Sequence, residues 1–429
     1  MTSRRALRLA AIALSSSALL AACSSSGSHS ASAAGASANG GSGTVNIGIS
    51  TSLSGTAAAL GADELNGIKY EVNQLNSHGG LLGKKLNLIS LDDAEVTSQG
   101  VSNARALIDS DHVKALFGPV EAPIALAEQT LTASARIPFL YSEVATTNMT
   151  STYFNPYSFR IRANAQSFAT AIAAYIANHY KNKTFSVYTV SPNISYGTSL
   201  TAEFLSALKT DHVHYTLVGQ QWPSYTETSF TSDMSAILSA HPSLLFLGIV
   251  GGSYVDFVKE AESFGLLPST LSAALCNQAT LLALGSAMPA GSICGDYAIP
   301  PELVHSSAMS TYEKAFQQEF GQKPVDEEAL ATSMTQAWAQ AVQKAGTFTG
   351  SKVAKALEGL TVKSVDGTFT IRACDHQAEV PVAVGATSTT VDAAWGSRAF
   401  SNVSLIPASQ TLASCSTVEA QFPAAYRPK

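Results

Sequence analysis

Residues Val45 to Asp93 restrict the possible folds more than any other stretch of the chain. Val45, Ile47 and Ile49 alternate with small or polar residues, the two-residue period of a strand. The loop Ser50 to Gly61 carries Ser54-Gly55 and little bulk, so backbone and hydroxyl groups there can approach a ligand closely. Leu65, Ile68, Val72 and Leu75 recur at three- and four-residue steps, one apolar face of a helix. Asn76-Ser77-His78-Gly79-Gly80 stops that helix, and Leu86, Leu88 and Ile89 open a second strand. A βαβ unit implies a parallel sheet, with ligand loops at the carboxyl ends of its strands.

The series continues. Thr97 to Asp109 reads as a helix, Val113 to Phe117 as a third strand ending at Gly118-Pro119-Val120-Glu121, and Pro123 suits the first turn of the next helix. Ile137 to Tyr141 is a fourth strand, followed by the loop Ser142 to Asn148. A second βα series runs through strands at Thr184–Val190, Val213–Gly219, Leu244–Val250 and Leu271–Leu275. Helices at Thr311–Phe320 and Glu327–Lys344 then suggest a return to the first half. Periodicity by itself supports an α/β fold with two such series.

The punctuation of the first stretch says more. Ile47-Gly48, Ser54-Gly55, Asn66-Gly67, Asn76, Gly79-Gly80, Gly83-Lys84 and Asp92-Asp93 follow in order, and Phe159-Arg160, Tyr196-Gly197 and Asp375-His376-Gln377 come later. This pattern resembles the branched-chain amino-acid-type (Leu/Ile/Val) substrate-binding proteins of ABC transporters. The resemblance implies an α/β type I periplasmic binding protein: two Rossmann-like lobes joined by three hinge crossings. The expected parts are residues 44–163 with 298–364 for lobe 1, and 164–297 with 365–429 for lobe 2 and a C-terminal extension. The crossings are expected at Phe159 to Gln166, Asp296 to Pro301 and Val365 to Gly367.

Export is legible at the N-terminus. Arg4, Arg5 and Arg8 precede the short apolar run Leu9 to Leu20, which is too short to span a bilayer. Leu20-Ala21-Ala22-Cys23 resembles the lipobox of bacterial lipoproteins, implying a signal peptide over residues 1–22 and a lipid on Cys23. Sec and twin-arginine export both stay open. Ser24 to Gly43 contains only Ser, Gly, Ala, His, Asn, a tether with an r.m.s. reach of roughly 25 Å. The three leader arginines are part of 25 basic residues; without them 22 face 31 acidic ones, a balance of −9. An acidic exported chain argues against nucleic acid as a partner. Four cysteines remain, Cys276, Cys294, Cys374 and Cys415, and an even count in an exported protein reads as two disulfides. All three connectivities are open; Cys276–Cys294 with Cys374–Cys415 closes the shortest loops.

No enzyme signature is present: there is no G-x-S-x-G elbow and no H-E-x-x-H. Gly79 to Lys85 lacks the spacing and the hydroxyl of a phosphate loop, and His376 beside Asp375 reads as structural. No cofactor or metal is expected. The resemblance places ligand-gripping positions at Ser54, Gly55 and Leu60, at Glu121 and Ala122, and at Glu143, Ala145 and Thr146 in the first lobe. In the second lobe they fall on Tyr196, Val250 and Asn277. Ala122 stands where the family carries serine and Leu60 where it carries tyrosine, a departure from leucine-type binders. If strands three and four are neighbours, Glu121 and Glu143 share one wall and repel unless a cation or hydrogen-bond donors lie between them. The expectation is therefore a monomeric, lipid-anchored solute-binding protein that captures a small polar ligand and delivers it to an ABC permease. The alternative is a sensor of the same fold signalling to a partner protein.

Overall fold

The structure, a computed structural model, describes residues 43–393 and 396–428. The expected leader, the lipid site at Cys23 and the tether up to residue 42 lie outside the described residues.

The first lobe is built from β1 (Thr44–Thr51), α1 (Ala58–Ser77), β2 (Lys85–Asp92), α2 (Thr97–Arg105), β3 (Leu116–Phe117), α3 (Ala122–Ala135), β4 (Phe139–Tyr141) and β5 (Ser158–Arg160). The strands pair in the order β2-β1-β3-β4-β5, all parallel. The motifs of the opening stretch have local physical causes. Asn76 ties the end of α1 to β2, donating from Nδ2 to the Leu86 carbonyl at 2.8 Å and accepting the Leu86 N–H at 2.8 Å. Gly67 lets α1 lie against a later helix so closely that a Cβ would stand 2.2 Å from the Glu328 carbonyl oxygen.

The second lobe comprises α4 (Ala165–His179), β6 (Thr184–Val190), α5 (Ser195–Thr210), β7 (His214–Gln221), α6 (Thr231–Ala240), β8 (Leu244–Leu247), α7 (Gly251–Ser263), β9 (Leu271–Leu275), α8 (Gln278–Leu284) and β10 (Ile293–Asp296). The chain then returns to the first lobe as α9 (Ser307–Phe320), α10 (Asp326–Ala345) and α11 (Gly350–Leu357). Val342, Ala337 and the fully buried Trp338 of α10 fill the first core together with Ile47, Ile68 and Phe117.

The last part departs from expectation. Val365 to Gly367 is not a crossing but the turn between β11 (Thr361–Ser364) and β12 (Gly367–Thr370), an antiparallel hairpin. Its Val362 and Phe369 belong to the first core, as does Ile371 beyond it. The third crossing comes later, where the Ala378 N–H bonds the Arg160 carbonyl at 2.9 Å before the chain enters β13 (Val382–Asp392). The expected C-terminal elaboration is two long strands, β13 and β14 (Ser397–Ile406), added antiparallel to the second sheet. That sheet has the order β14-β13-β10-β9-β8-β6-β7. The chain ends through α12 (Ala408–Thr411) and α13 (Cys415–Glu419), where Phe422 stacks on Phe154 of the first lobe with ring centroids 4.1 Å apart. Both disulfides, Cys276–Cys294 and Cys374–Cys415, are formed.

Candidate functional site

Both sheets reverse strand order at one place, between β1 and β3 and between β6 and β8. In open α/β sheets a crevice forms beyond the strand ends at such points, and here the two crevices face one another. Between them lies a cavity with about 450 Å³ of space free of protein atoms, open solvent included.

The first lobe contributes Leu60, Val120 to Ala122 from the loop after β3, and Glu143 to Ala145 from the loop after β4. The second contributes Ile194, Tyr196, Tyr225, Val250, Leu275 and Asn277. Arg162 and Tyr297 enter from the first two crossings, and Glu327 from the first turn of α10.

The charged groups are organised around Arg162. Nη1 meets Glu143 Oε2 at 3.0 Å and Nη2 meets Glu327 Oε1 at 3.6 Å. Its guanidinium carbon lies 4.4 Å from the centre of the Tyr297 ring, a cation–π contact. The Tyr297 hydroxyl donates to the Tyr196 hydroxyl at 3.3 Å. Asn277 caps α8 by accepting the Thr280 N–H at 3.1 Å, and its Nδ2 is 3.5 Å from Glu327 Oε1.

Glu121 is held differently. The single Ser52 hydroxyl is 2.8 Å from both Glu121 Oε2 and Asp93 Oδ1. One hydroxyl proton cannot serve two carboxylates, so one of the acids retains its own proton. Burial, then the neighbouring Asp93, pushes the Glu121 carboxyl up to about 8. Burial, then Glu327, also raises Glu143 well above the usual range, against the pull of Arg162. A second acid pair joins the lobes: Asp326 Oδ2 of α10 accepts the Gln278 N–H of α8 at 2.5 Å. Burial raises Asp326 to about 7, while Asp296 goes well above its ordinary value through burial and the adjacent Asp326.

Of the positions expected from sequence, Leu60, Glu121, Ala122, Glu143, Ala145, Tyr196, Val250 and Asn277 line the cavity. Ser54 and Gly55 do not; they sit exposed on the loop after β1, Ser54 bonding Asp92 and Gly55 lying against Glu95. Thr146 is buried behind the wall, where its hydroxyl reaches the Ser195 carbonyl at 3.5 Å. Arg162, Tyr225, Tyr297 and Glu327 were missing from the expected set. An arginine two residues after Arg160, spaced by apolar Ile161, was a usable sign of a buried cation; nothing local marks Tyr225. Arg160 itself stays outside the cavity and braces the β4 loop through the Val144 carbonyl at 3.0 Å and Gln377 Oε1 at 2.9 Å. His376 is structural: it stacks on Phe159 at 4.2 Å, and burial lowers its pKa to about 4.

Two α/β lobes with matching switch points, three crossings and a cleft between them define a two-lobe binding fold. The chain belongs to the family described as Periplasmic binding protein, whose model matches residues 44–390. It is 26% identical over 230 residues to "Leu/Ile/Val-binding protein homolog 7" of Brucella abortus, an alignment covering 51% of this chain and 55% of that one. The chain thus spans about half the length of the curated relatives it matches. Among solved structures, a periplasmic binding protein from Burkholderia mallei superposes with a TM-score of 0.78 at 20% identity, covering 86% of this chain and 96% of that one. A solute-binding protein of an ABC transporter from Rhodopseudomonas palustris, in complex with 3,4-dihydroxybenzoic acid, gives 0.74 at 21% identity, covering 85% and 96%.

Proposed function

We propose that this protein is the extracytoplasmic solute-capturing component of an ABC importer. A small polar ligand is held in the cleft and handed to the permease. Residues 1–22 serve as an export leader, Cys23 carries the lipid, and the tether lets the lobes reach the permease while anchored. Ser54, Gly55 and Thr146 then act around the ligand loops rather than on the ligand, while the eight cavity-lining positions, with Arg162, Tyr225, Tyr297 and Glu327, grip it.

The observation that carries this reading is the cavity at the meeting of two strand-order reversals, lined by buried polar atoms without partners. Glu121 Oε1, Glu143 Oε1, Glu327 Oε2 and Arg162 Nε are all in that state. Unsatisfied buried polar atoms are destabilising by about 1–3 kcal/mol each, so a site that keeps four of them is built for something that satisfies them. The relatives' names and the transporter described for Rhodopseudomonas palustris favour import over catalysis.

Differential scanning fluorimetry of the processed chain against amino acids, amides, amines and aromatic acids tests the reading. A ligand should raise the melting temperature and, in small-angle scattering, reduce the radius of gyration as the lobes close. A panel without any thermal shift, or binding with an unchanged scattering profile, refutes capture by closure.

A further inference from the structure

Resting on the solute-capture reading, we infer that the cleft takes an organic cation: an ammonium, amidinium or guanidinium group on an apolar body, with no free carboxylate. The first ground is the inventory of unpaired atoms. Three carboxyl groups from three separate elements line one cavity, each with a buried oxygen lacking a partner. Among these unpaired atoms the one nitrogen donor is Arg162 Nε, and the protons that burial keeps on Glu121 and Glu143 leave as those carboxyls ionise against a docked cation. An ammonium brings three donors and no acceptor, matching that imbalance. A carboxylate would add two more acceptors to it.

The second ground is that the groups able to receive an anion are already engaged. Arg162 is the one Lys or Arg among the cavity-lining residues, and its two terminal nitrogens meet Glu143 and Glu327 while its face covers Tyr297. Two of the helix N-termini at the cavity, the other anion sites of such folds, are taken by first-lobe acceptors. Asp326 receives the Gln278 N–H at the start of α8, and the Thr56 carbonyl receives the Gly252 N–H of α7 at 3.3 Å. At α3 the residue preceding the helix is Glu121 itself, which turns anionic on losing its proton and then opposes any anion approaching those amides.

The third ground is the remaining wall. Tyr225 lies in the cavity beside Glu121, and burial followed by the Glu121 charge pushes its phenol well above the ordinary value. A phenol ring next to a carboxyl that ionises against a bound cation offers that cation both a π face and a counter-charge. Leu60, Val120, Val250 and Leu275 are apolar and suit the rest of the molecule.

The decisive experiment compares ligands on one carbon skeleton. Isopentylamine, leucine and 4-methylpentanoate form one set; phenethylamine, phenylalanine and 3-phenylpropanoate a second; agmatine and arginine a pair. Isothermal titration with the processed wild-type chain should show the amine binding at least about tenfold more tightly than its amino acid, with the acid silent. Glu121→Gln should weaken the amine by about tenfold or more, since hydrogen bonds to charged groups are the stronger kind. Tighter binding of an acid or amino acid overturns the cation assignment while leaving solute capture intact. Silence of every amine, with binding elsewhere in a broader panel, also overturns the assignment. Silence of the whole panel without closure removes both readings.

Discussion

Replacing Glu121 with glutamine should make the ligand-free protein more stable, increasingly so as the pH rises. The carboxyl titrates near 4.5 when the chain is unfolded and at about 8 in the fold, chiefly through burial and Asp93. The folded state therefore binds a proton that the unfolded state releases across that window, and stability falls as pH climbs through it. Below about pH 4.5 both states are protonated and the acid costs nothing; above about pH 8 the whole penalty is present. The interval corresponds to about 5 kcal/mol in full and about 3 kcal/mol at neutral pH. Glutamine cannot ionise, yet it can still accept from the Ser52 hydroxyl, now 2.8 Å from Glu121 Oε2, so little else changes at the site. Urea unfolding of wild type and variant at about pH 5 and about pH 9 should show the variant's advantage growing by about 4 kcal/mol. An advantage that is constant within about 1 kcal/mol across that range would mean Glu121 is not held in the buried, acid-crowded setting described above, and the reasoning fails.

Two further perturbations probe the scaffold. Cys374→Ser with Cys415→Ser opens a loop with a sequence separation of 41 and should lower unfolding stability by about 4 kcal/mol, read from urea midpoints. Limited proteolysis should then cut first near residues 407–414, because the tail beyond is held mainly by the Phe154–Phe422 stack. Trp338→Ala empties the first core beneath Phe117, whose ring centre is 6.0 Å away, and should destabilise by about 3–5 kcal/mol. A loss under about 1 kcal/mol would place Trp338 outside the packing that joins α10 to the sheet.

What could be read from the sequence follows the range of the forces involved. Strands, helices and their stops depend on neighbours a few residues away, so Ile47-Gly48, Asn76 and Gly79-Gly80 were readable in order. The loops after β3 and β4 were readable because the family resemblance places Glu121 and Glu143 there, in keeping with a ligand site at strand ends. Ser54 went wrong for a related reason. Small residues allow close approach to a ligand, but Asp92 and Glu95 lie closer and take the loop instead. The misplaced crossing had a local correction available: Asp366-Gly367 between two short apolar-alternating runs is a hairpin signal, and the hairpin is what forms. Arg162 and Tyr225 could not be assigned from spacing, since only the meeting of the two lobes gives them their neighbours.

The acidic run Asp326-Glu327-Glu328 shows why. In sequence it reads as three acids favourable to a helix N-terminus and nothing more. On a helix, consecutive residues point about 100° apart, so three neighbours face three directions. Asp326 reaches the start of α8 in the second lobe, and Glu327 enters the cavity to meet Arg162. Glu328 turns back to cap its own helix through the Val325 N–H at 2.9 Å and holds Asn66 of α1 at 3.1 Å. One helical turn thus touches the opposite lobe, the ligand space and the first-lobe core at once. Under the solute-capture reading, a ligand that draws Glu327 towards itself would act on the same turn that holds Gln278 across the cleft. Sequence shows that the three acids are adjacent, and the fold turns that adjacency into one link from the cavity to the opposite lobe.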